Sequence, residues 1–471
     1  MNYTEQILQN FRRLAAHPRP SGHEQAVAED LVAWGREQGF DARHDAGFNV
    51  VIDVSATPGC ENVPRTILQG HLDMVCTAAE GVAFDPLRDV PKIIREGNTL
   101  HADGTTLGAD NGLGVGLAMA VCADRTLRHG PLRLLATTDE EGGAEPIGPL
   151  DPSALDGRFL INLDSETCGV LTNSCAGNQA LTVTITGPQV PAPFPHAYRV
   201  ALSGFAGGHS GADIHLDRVN PLIALAGLLD SLPALALADF SAGTAHNAIP
   251  TAASALVLVP DDTALRRAAD SALAAWREKE PAAVVSVEPA PLPASSLSPE
   301  VSRRAAALIA RLPNGVRTWA KGYDNLVESS CSADLARMAD GVLTVTSLAR
   351  SLRFETHAEN EADFRTLCRR YGFELSVTEP GHGWPADPDN PLERLFAEVW
   401  REITGRDLVI RPIHAGLECA SFAAVNPRLS LVSLGPTILY PHSPSEPAVL
   451  DGLEELAAAV GEVVSRISCM Q

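Results

Sequence analysis

Seven residues spread along the chain carry side chains that divalent metal ions prefer. In chain order they are His71, Asp73, Asp110, Glu140, Glu141, Asp164 and His442. Zinc-like ions take about four or five ligands from such nitrogen and oxygen donors. A pair of ions roughly 3.5–4 Å apart also needs one bridging carboxylate and a water between the ions. A further carboxylate, which is not a ligand, must accept the proton of that water. The set contains the residue types that a hydrolytic centre with two metals needs.

The spacing within this set suggests a division of labour. Adjacent Glu140 and Glu141 cannot both point the same way in an extended segment, so one can bind metal while its neighbour faces the water. Asp73, two residues after His71, is suited to orient an imidazole. Each residue also has a simpler explanation. A histidine after a glycine is usually structural or exposed, a Glu-Glu pair after a strand is usually solvated, and Asp110 in GADNG is typical of a turn. Spacing alone leaves both interpretations open.

Three short apolar runs are predicted as the strands that position these residues. They cover residues 66–69, 132–136 and 159–163, and each is followed by a histidine or a carboxylate. This arrangement is typical of an α/β sheet whose strand ends present the site. The alternative is that the charged residues only mark where the strands reach solvent. Upstream, residues 4–15 are predicted as a helix, and Ser21–Glu24 as the capping box of a second helix.

A change of sequence texture near residue 178 predicts an inserted domain. Alternating strand-type sequence begins there, and the length of 471 residues favours two or three domains. We predict a catalytic α/β domain in two pieces, 1–177 and 383–471, with an insert at 178–382. Further helices are expected at 222–229, 391–403 and 451–466, and strands at 252–259 and 430–434. The Ala/Pro-rich stretch 281–296 is predicted as a connection.

Composition excludes several classes of function. A formal net charge of −22 makes binding to nucleic acids or to an anionic membrane surface a poor prediction. The nine cysteines form no C-x-x-C pair, which favours a reducing compartment over a disulfide scaffold or a zinc ribbon. No stretch approaches about 18 apolar residues, and no secretion signal is recognisable. We therefore expect a cytoplasmic protein. The glycines of Gly112–Gly116 do not form the G-x-G-x-x-G motif, which argues against a nucleotide-binding site. Ser210 does not stand in a G-x-S-x-G motif, which argues against a serine hydrolase.

Several motifs resemble one peptidase family in the right order along essentially the whole chain. They are PRPSGHE (19–25), GHLDMV (70–75), GTTLGADNGLGVG (104–116), TTDEEGG (137–143), NLDSE (162–166), GGHSGADIHLDRVNP (207–221) and PHSPSE (441–446). The sequence is similar to the aminoacyl-histidine dipeptidase family, or peptidase D, a branch of the co-catalytic zinc peptidases. The resemblance implies a three-layer α/β catalytic domain with an inserted α+β lid domain.

The resemblance also implies a role for each matching residue. His71 and Asp164 would bind one metal, Glu141 and His442 would bind the other, and Asp110 would bridge them. Glu140 would be the general base and acid, and Asp73 would orient His71. In the lid, His209 would stabilise the tetrahedral intermediate, and Asn247 and Arg350 would hold the substrate. The stretch ESSCSADL (328–335) departs from the family pattern, which leaves the role of Arg350 open.

The implied activity is hydrolysis of dipeptides with a free amino terminus, including Xaa-His dipeptides such as carnosine. Two divalent metal ions are implied as cofactors, zinc first, with manganese or cobalt as alternatives. A tripeptidase or an N-acyl amino-acid hydrolase of the same superfamily is the main rival, and a catalytically silent metal-binding protein is another. In relatives with a smaller lid, the lid histidine serves the partner subunit. Here the lid is long enough for two similar halves, so His209 is expected to act within its own chain, with a homodimer possible.

Overall fold

A computed structural model describes residues 2–142 and 150–469, so Gly143, the last residue of the TTDEEGG motif, lies outside it. The helices are α1 (Tyr3–Leu14), α2 (Gln25–Glu37), α3 (Ala109–Ala123), α4 (Pro221–Asp230), α5 (Thr263–Trp276), α6 (Pro299–Ile309), α7 (Thr356–Tyr371), α8 (Pro391–Thr404), α9 (Cys419–Val425) and α10 (Leu453–Ile467).

The strands up to the middle of the chain are β1 (Asp41–His44), β2 (Val50–Val54), β3 (Thr66–His71), β4 (Ile93–Glu96), β5 (Thr99–Ala102), β6 (Leu132–Thr137), β7 (Phe159–Asn162), β8 (Val170–Cys175), β9 (Gly177–Ile185), β10 (Gln189–Pro191), β11 (His196–Ser203) and β12 (Gly208–His209). The later strands are β13 (Ala236–Ala242), β14 (Ala248–Ile249), β15 (Ala253–Val259), β16 (Val284–Ala290), β17 (Ser295–Leu297), β18 (Gly315–Trp319), β19 (Val327–Ala339), β20 (Val342–Ser351), β21 (Glu374–Val377), β22 (Val409–Ile413), β23 (Ser430–Ser433), β24 (Thr437–Ile438) and β25 (Pro447–Val449).

The chain divides into two units. The first unit comprises Met1–Cys175, Trp384–Pro412 and Leu417–Gln471, and the second comprises Ala176–Gly383 and Ile413–Gly416. Each unit has its own large sheet and its own cluster of buried apolar side chains.

The first unit is built on an eight-stranded sheet in the order β1-β2-β6-β3-β7-β23-β8-β22. Strands β6, β3, β7 and β23 run parallel, so their carboxyl ends meet at one edge. The predicted apolar strands β3, β6 and β7 and the α/β class are confirmed. Helix α1 buries Ile7, Leu8, Phe11 and Leu14 on one face and packs against α3.

The second unit contains two halves with the same topology. Strands and helices β11-α4-β13-β15-α5-β16 form the inner half, with sheet order β16-β11-β15-β13. Strands and helices β9-α6-β19-β20-α7-β21 form the outer half, with sheet order β21-β9-β20-β19. Each half is therefore a βαββαβ unit whose four strands lie in the order 4-1-3-2. The halves join into one antiparallel sheet where Ser241 and Ala242 pair with Arg337 and Ala336.

Two local predictions are wrong. Helix α2 begins at Gln25, four residues after Ser21, and has no side-chain cap; the Ser21 hydroxyl donates to Asp73 Oδ2 at 2.7 Å. The predicted connection at 281–296 contains β16, which pairs with β11 along seven residues. Within residues 2–142 and 150–469, no helix has both the length and the apolar character that crossing a bilayer requires.

Candidate functional site

The parallel strands position three of the seven candidate residues of the first unit. His71 is the last residue of β3, Asp164 lies two residues after β7, and Glu141 lies four residues after β6. Because these strands are parallel neighbours, their carboxyl ends bring the three side chains to one edge of the sheet. Asp110 sits at the start of α3. The fifth candidate ligand, His442, stands in a turn with φ of 63°.

Asp110 lies between two histidine–carboxylate pairs. Its Oδ1 is 3.1 Å from His71 Nε2, and its Oδ2 is 3.2 Å from His442 Nε2. His71 Nε2 is also 3.3 Å from Asp164 Oδ1, and His442 Nε2 is 2.6 Å from Glu141 Oε1. One ring nitrogen thus faces two carboxylate oxygens on each side of Asp110. One N–H can donate well to only one of two such oxygens, whereas a cation placed among the three atoms would contact all of them.

Asp73 contacts both His71 and the turn that carries Glu140 and Glu141. It is fully buried, and its Oδ1 lies 3.3 Å from His71 Nδ1. The same carboxylate accepts the backbone N–H groups of Glu140 at 3.2 Å and Glu141 at 3.0 Å. Asp73 therefore fixes both the imidazole of His71 and the turn that carries the two glutamates.

The site holds more buried carboxyl groups than its local cations can balance. Burial raises the pKa of Asp164 to about 7 and that of Glu166 to about 8, and it raises the pKa of Glu140 well above the usual range. Burial opposes protonation of His442, but Asp110 and Glu141 outweigh it and raise the pKa of the imidazole to about 11. Burial is the largest cause of these raised pKa values, and neighbouring carboxylates add to it.

The donor set fits divalent cations. His71, Asp110 and Glu141 each offer an atom within 4.8 Å of the others. Asp164 Oδ1 is buried without a hydrogen-bond partner in the described part of the chain. Imidazole nitrogens and carboxylate oxygens suit zinc, and divalent charge would compensate the surplus of buried acids.

The second unit brings its three candidate residues together around the loop 208–211. The backbone N–H groups of Gly211 and Ala212 point at His209 Nδ1, at 3.3 and 2.9 Å. Because Nδ1 accepts, the proton of the neutral ring is on Nε2. The Asn247 carbonyl accepts the N–H of Ser210 at 2.9 Å. A Cβ at Gly211 would stand 3.0 Å from Nε of the buried Arg350, so that guanidinium also lies against the loop.

Sequence reasoning missed several buried polar residues near the candidate ligands. Glu418 accepts from Gln69 at 2.6 Å and from Thr137 at 2.8 Å, behind the ends of β3 and β6. Arg19 and Glu446 bind the backbone of ligand-bearing segments. Both were inside quoted motifs, PRPSGHE and PHSPSE, and that position was the only signal for them.

Comparison with known proteins decides the family. The sequence matches Peptidase family M20/M25/M40 across residues 67–466. The chain belongs to this family. As an M20 peptidase, it is 33% identical to the cytosol non-specific dipeptidase of Escherichia coli K12 over 472 aligned residues, which cover 97% of this chain and 96% of that protein.

Solved structures of relatives agree with the M20 assignment. The aminoacylhistidine dipeptidase of Vibrio alginolyticus is 32% identical with a TM-score of 0.72, covering 99% of this chain and 96% of that one. A tripeptidase from Staphylococcus aureus shares the fold at 16% identity and a TM-score of 0.61, covering 99% of each chain.

Proposed function

We propose that this M20 peptidase is a cytosolic metallo-dipeptidase. It would hydrolyse dipeptides with a free amino terminus, Xaa-His dipeptides among them. The observation that carries the proposal is the pair of histidine–carboxylate groups on either side of Asp110, with Glu140 next to a candidate ligand. The names of the Escherichia coli and Vibrio alginolyticus relatives support dipeptides as substrates, and one of those names supports the cytosol. The first unit would be the catalytic domain, and the second unit the lid domain.

In the proposed centre, His71 and Asp164 would hold one cation, Glu141 and His442 would hold the other, and Asp110 would contribute to both. Two divalent cations, zinc by preference, supply Lewis acidity and lower the pKa of a water molecule.

Proton transfer falls to the protein. Glu140 accepts the proton of the attacking water and later gives it to the leaving amine. Asp73 keeps His71 in one orientation through Nδ1. His209 would stabilise the oxyanion of the tetrahedral intermediate by donating a hydrogen bond from Nε2. Asn247 and Arg350 would bind the backbone and the carboxylate of the substrate.

We propose that His209 serves its own chain. The two halves of the second unit already form one continuous sheet through β13 and β19, so the unit contains within one chain the kind of paired half that a dimer would otherwise supply. A homodimer is then compatible with activity but not required for it.

A substrate panel tests the proposed activity. The protein is stripped with a chelator, reloaded with zinc, manganese or cobalt, and assayed on dipeptides, tripeptides and N-acetyl amino acids, with the chelated protein as the control. Free dipeptides should be turned over fastest, and only after metal is restored. Faster turnover of N-acetyl amino acids or tripeptides would favour the rival hydrolases. Metal binding without hydrolysis of any substrate would indicate a silent metal-binding protein.

A further inference from the structure

A buried arginine joins two of the segments that carry candidate ligands. Arg19 is 1% exposed. Its Nη1 donates to the carbonyls of Leu72 at 2.6 Å and Asp73 at 3.0 Å, and its Nη2 donates to the carbonyl of Gly108 at 2.6 Å. The planar guanidinium thus holds the chain after His71 at a fixed distance from the chain before Asp110. A buried cation that binds only backbone carbonyls is an expensive way to add stability, because its desolvation opposes the gain.

A buried carboxylate binds the same turn from the other side. Glu446 is 1% exposed. Its Oε2 accepts the N–H groups of Leu107 at 3.0 Å and Gly108 at 3.2 Å, and its Oε1 accepts those of Ala109 at 2.9 Å and Asp110 at 3.4 Å. These four amides belong to the buried turn that leads into α3, where the backbone of Asp110 is not helical, and the carboxylate satisfies N–H groups that burial would otherwise leave unpaired. Since Glu446 follows His442 by four residues, it ties the His442 segment to Asp110.

The glycines of the GTTLGADNG motif make this arrangement possible. Gly108 has φ of +71°, and a Cβ there would lie 2.7 Å from Arg19 Nη2 and 2.6 Å from Met74 Sδ. A Cβ at Gly112 would lie 2.8 Å from the same Nη2. A side chain at either position would clash with the guanidinium of Arg19. This explains why the motif has glycine at both positions.

We propose that Arg19 and Glu446 are positioning residues that together set the distances between the His71, Asp110 and His442 segments. Gly108 is the shared point, because its carbonyl binds Arg19 while its N–H binds Glu446. The inference rests on the proposed metal centre. It adds that the affinity for the cations depends on these two buried charges, although neither is a ligand.

The test compares two variants with matched controls in the full-length protein. Arg19→Lys keeps the charge but loses the fork that reaches two segments, and Glu446→Gln keeps the size but places an amide group against N–H donors. The control for the first is Arg133→Lys, a buried arginine that binds the carbonyls of Ser153 and Ala154 and also the carboxylate of Asp53. The control for the second is Glu454→Gln, a carboxylate that accepts the N–H groups of Tyr3 and Thr4 at the start of α1.

The readouts are the dissociation constant for zinc, from competition with a chelator, and the melting temperature of the metal-free protein. Residues that support a ligand from behind typically change metal affinity by about 10–100-fold. We expect that loss for Arg19→Lys and Glu446→Gln, and an unchanged zinc affinity for both controls. The double variant should lose less than the sum of the two single effects, because both act through Gly108.

Three results would overturn the inference. One is a zinc affinity equal to that of the wild type in both variants, with only the melting temperature reduced. Another is an equal loss of zinc affinity in the controls, which would mean that any buried charge has this effect. If Glu446→Gln does not fold, Glu446→Asp keeps the charge with a shorter reach, and wild-type affinity in that variant would be equally decisive. A wild-type protein that binds no zinc, manganese or cobalt would instead refute the proposed function, and this inference with it.

Discussion

Glu140 and Glu141 provide the sharpest test of the proposed mechanism, because adjacent residues of one type should behave differently. Both donate a backbone N–H to Asp73, so changing either side chain to Gln leaves the turn anchored. Only Glu141 has its carboxylate 2.6 Å from His442 Nε2. Loss of a general base lowers the rate by roughly 10²–10⁴, which is about 3–5.5 kcal/mol. We expect that loss of kcat for Glu140→Gln, with an unchanged metal content.

Glu141→Gln should fail by a different route. Removing one partner of a buried charge pair leaves the other uncompensated, at about 3–5 kcal/mol, or roughly 10²–10⁴ in a dissociation constant. This variant should lose about one metal equivalent on dialysis and recover part of its activity when excess zinc is added. Metal analysis and steady-state kinetics on both proteins measure the two effects. The reasoning is refuted if Glu140→Gln loses metal while Glu141→Gln retains it.

Three further outcomes are expected. Asp110→Asn should weaken zinc binding more than any other single ligand change, since the two Asp110 oxygens lie against both histidines, and equilibrium dialysis should show both equivalents affected. His414 is neutral in the folded protein, because burial and, to a smaller extent, Arg350 lower its pKa to about 3. The unfolded chain binds a proton at this histidine below pH 6.5. The free energy of unfolding should therefore decrease as the pH is lowered, by about 2 kcal/mol at pH 5. Denaturant unfolding at pH 7 and pH 5 should show a smaller decline for His414→Gln, and an identical decline would contradict this. A mixture of His209→Ala and Glu140→Ala proteins that exchange subunits should stay inactive, whereas recovered activity would mean that His209 serves the partner.

The sequence was informative wherever local pattern decides structure. The strands that end near His71, Glu140 and Asp164 were predictable because each is a short apolar run that stops at a polar residue. Their convergence at one edge follows from parallel pairing, which the three apolar runs favoured without excluding strands that simply end in solvent. The metal-binding and catalytic roles themselves stay predictions.

Long-range contacts explain the failures. The local pattern Ser21–Glu24 predicted a helix cap, but α2 begins only at Gln25, and the Ser21 hydroxyl donates to Asp73, a residue distant along the chain. Residues 284–290 were predicted as a connection because of their proline and alanine content, yet pairing with β11 makes them an edge strand. The amides at the start of α3 are bound by Glu446, a partner more than three hundred residues away along the chain, which no local pattern could show.

The nesting of the inner half within the outer half has a consequence for how the second unit is made. The strands that lead into and out of the inner half, β10 and β17, pair with each other, with Gln189 opposite Leu297. Two chain ends held side by side are the geometry at which a whole domain can be inserted or removed. During synthesis all strands of the inner half are available before β20 has been made. Strand β9 cannot pair until then, because its Ile185 pairs with the distant Leu343 of β20. The inner half should therefore fold first, and a chain in which a short turn replaces residues 190–296 should still be able to form the outer half.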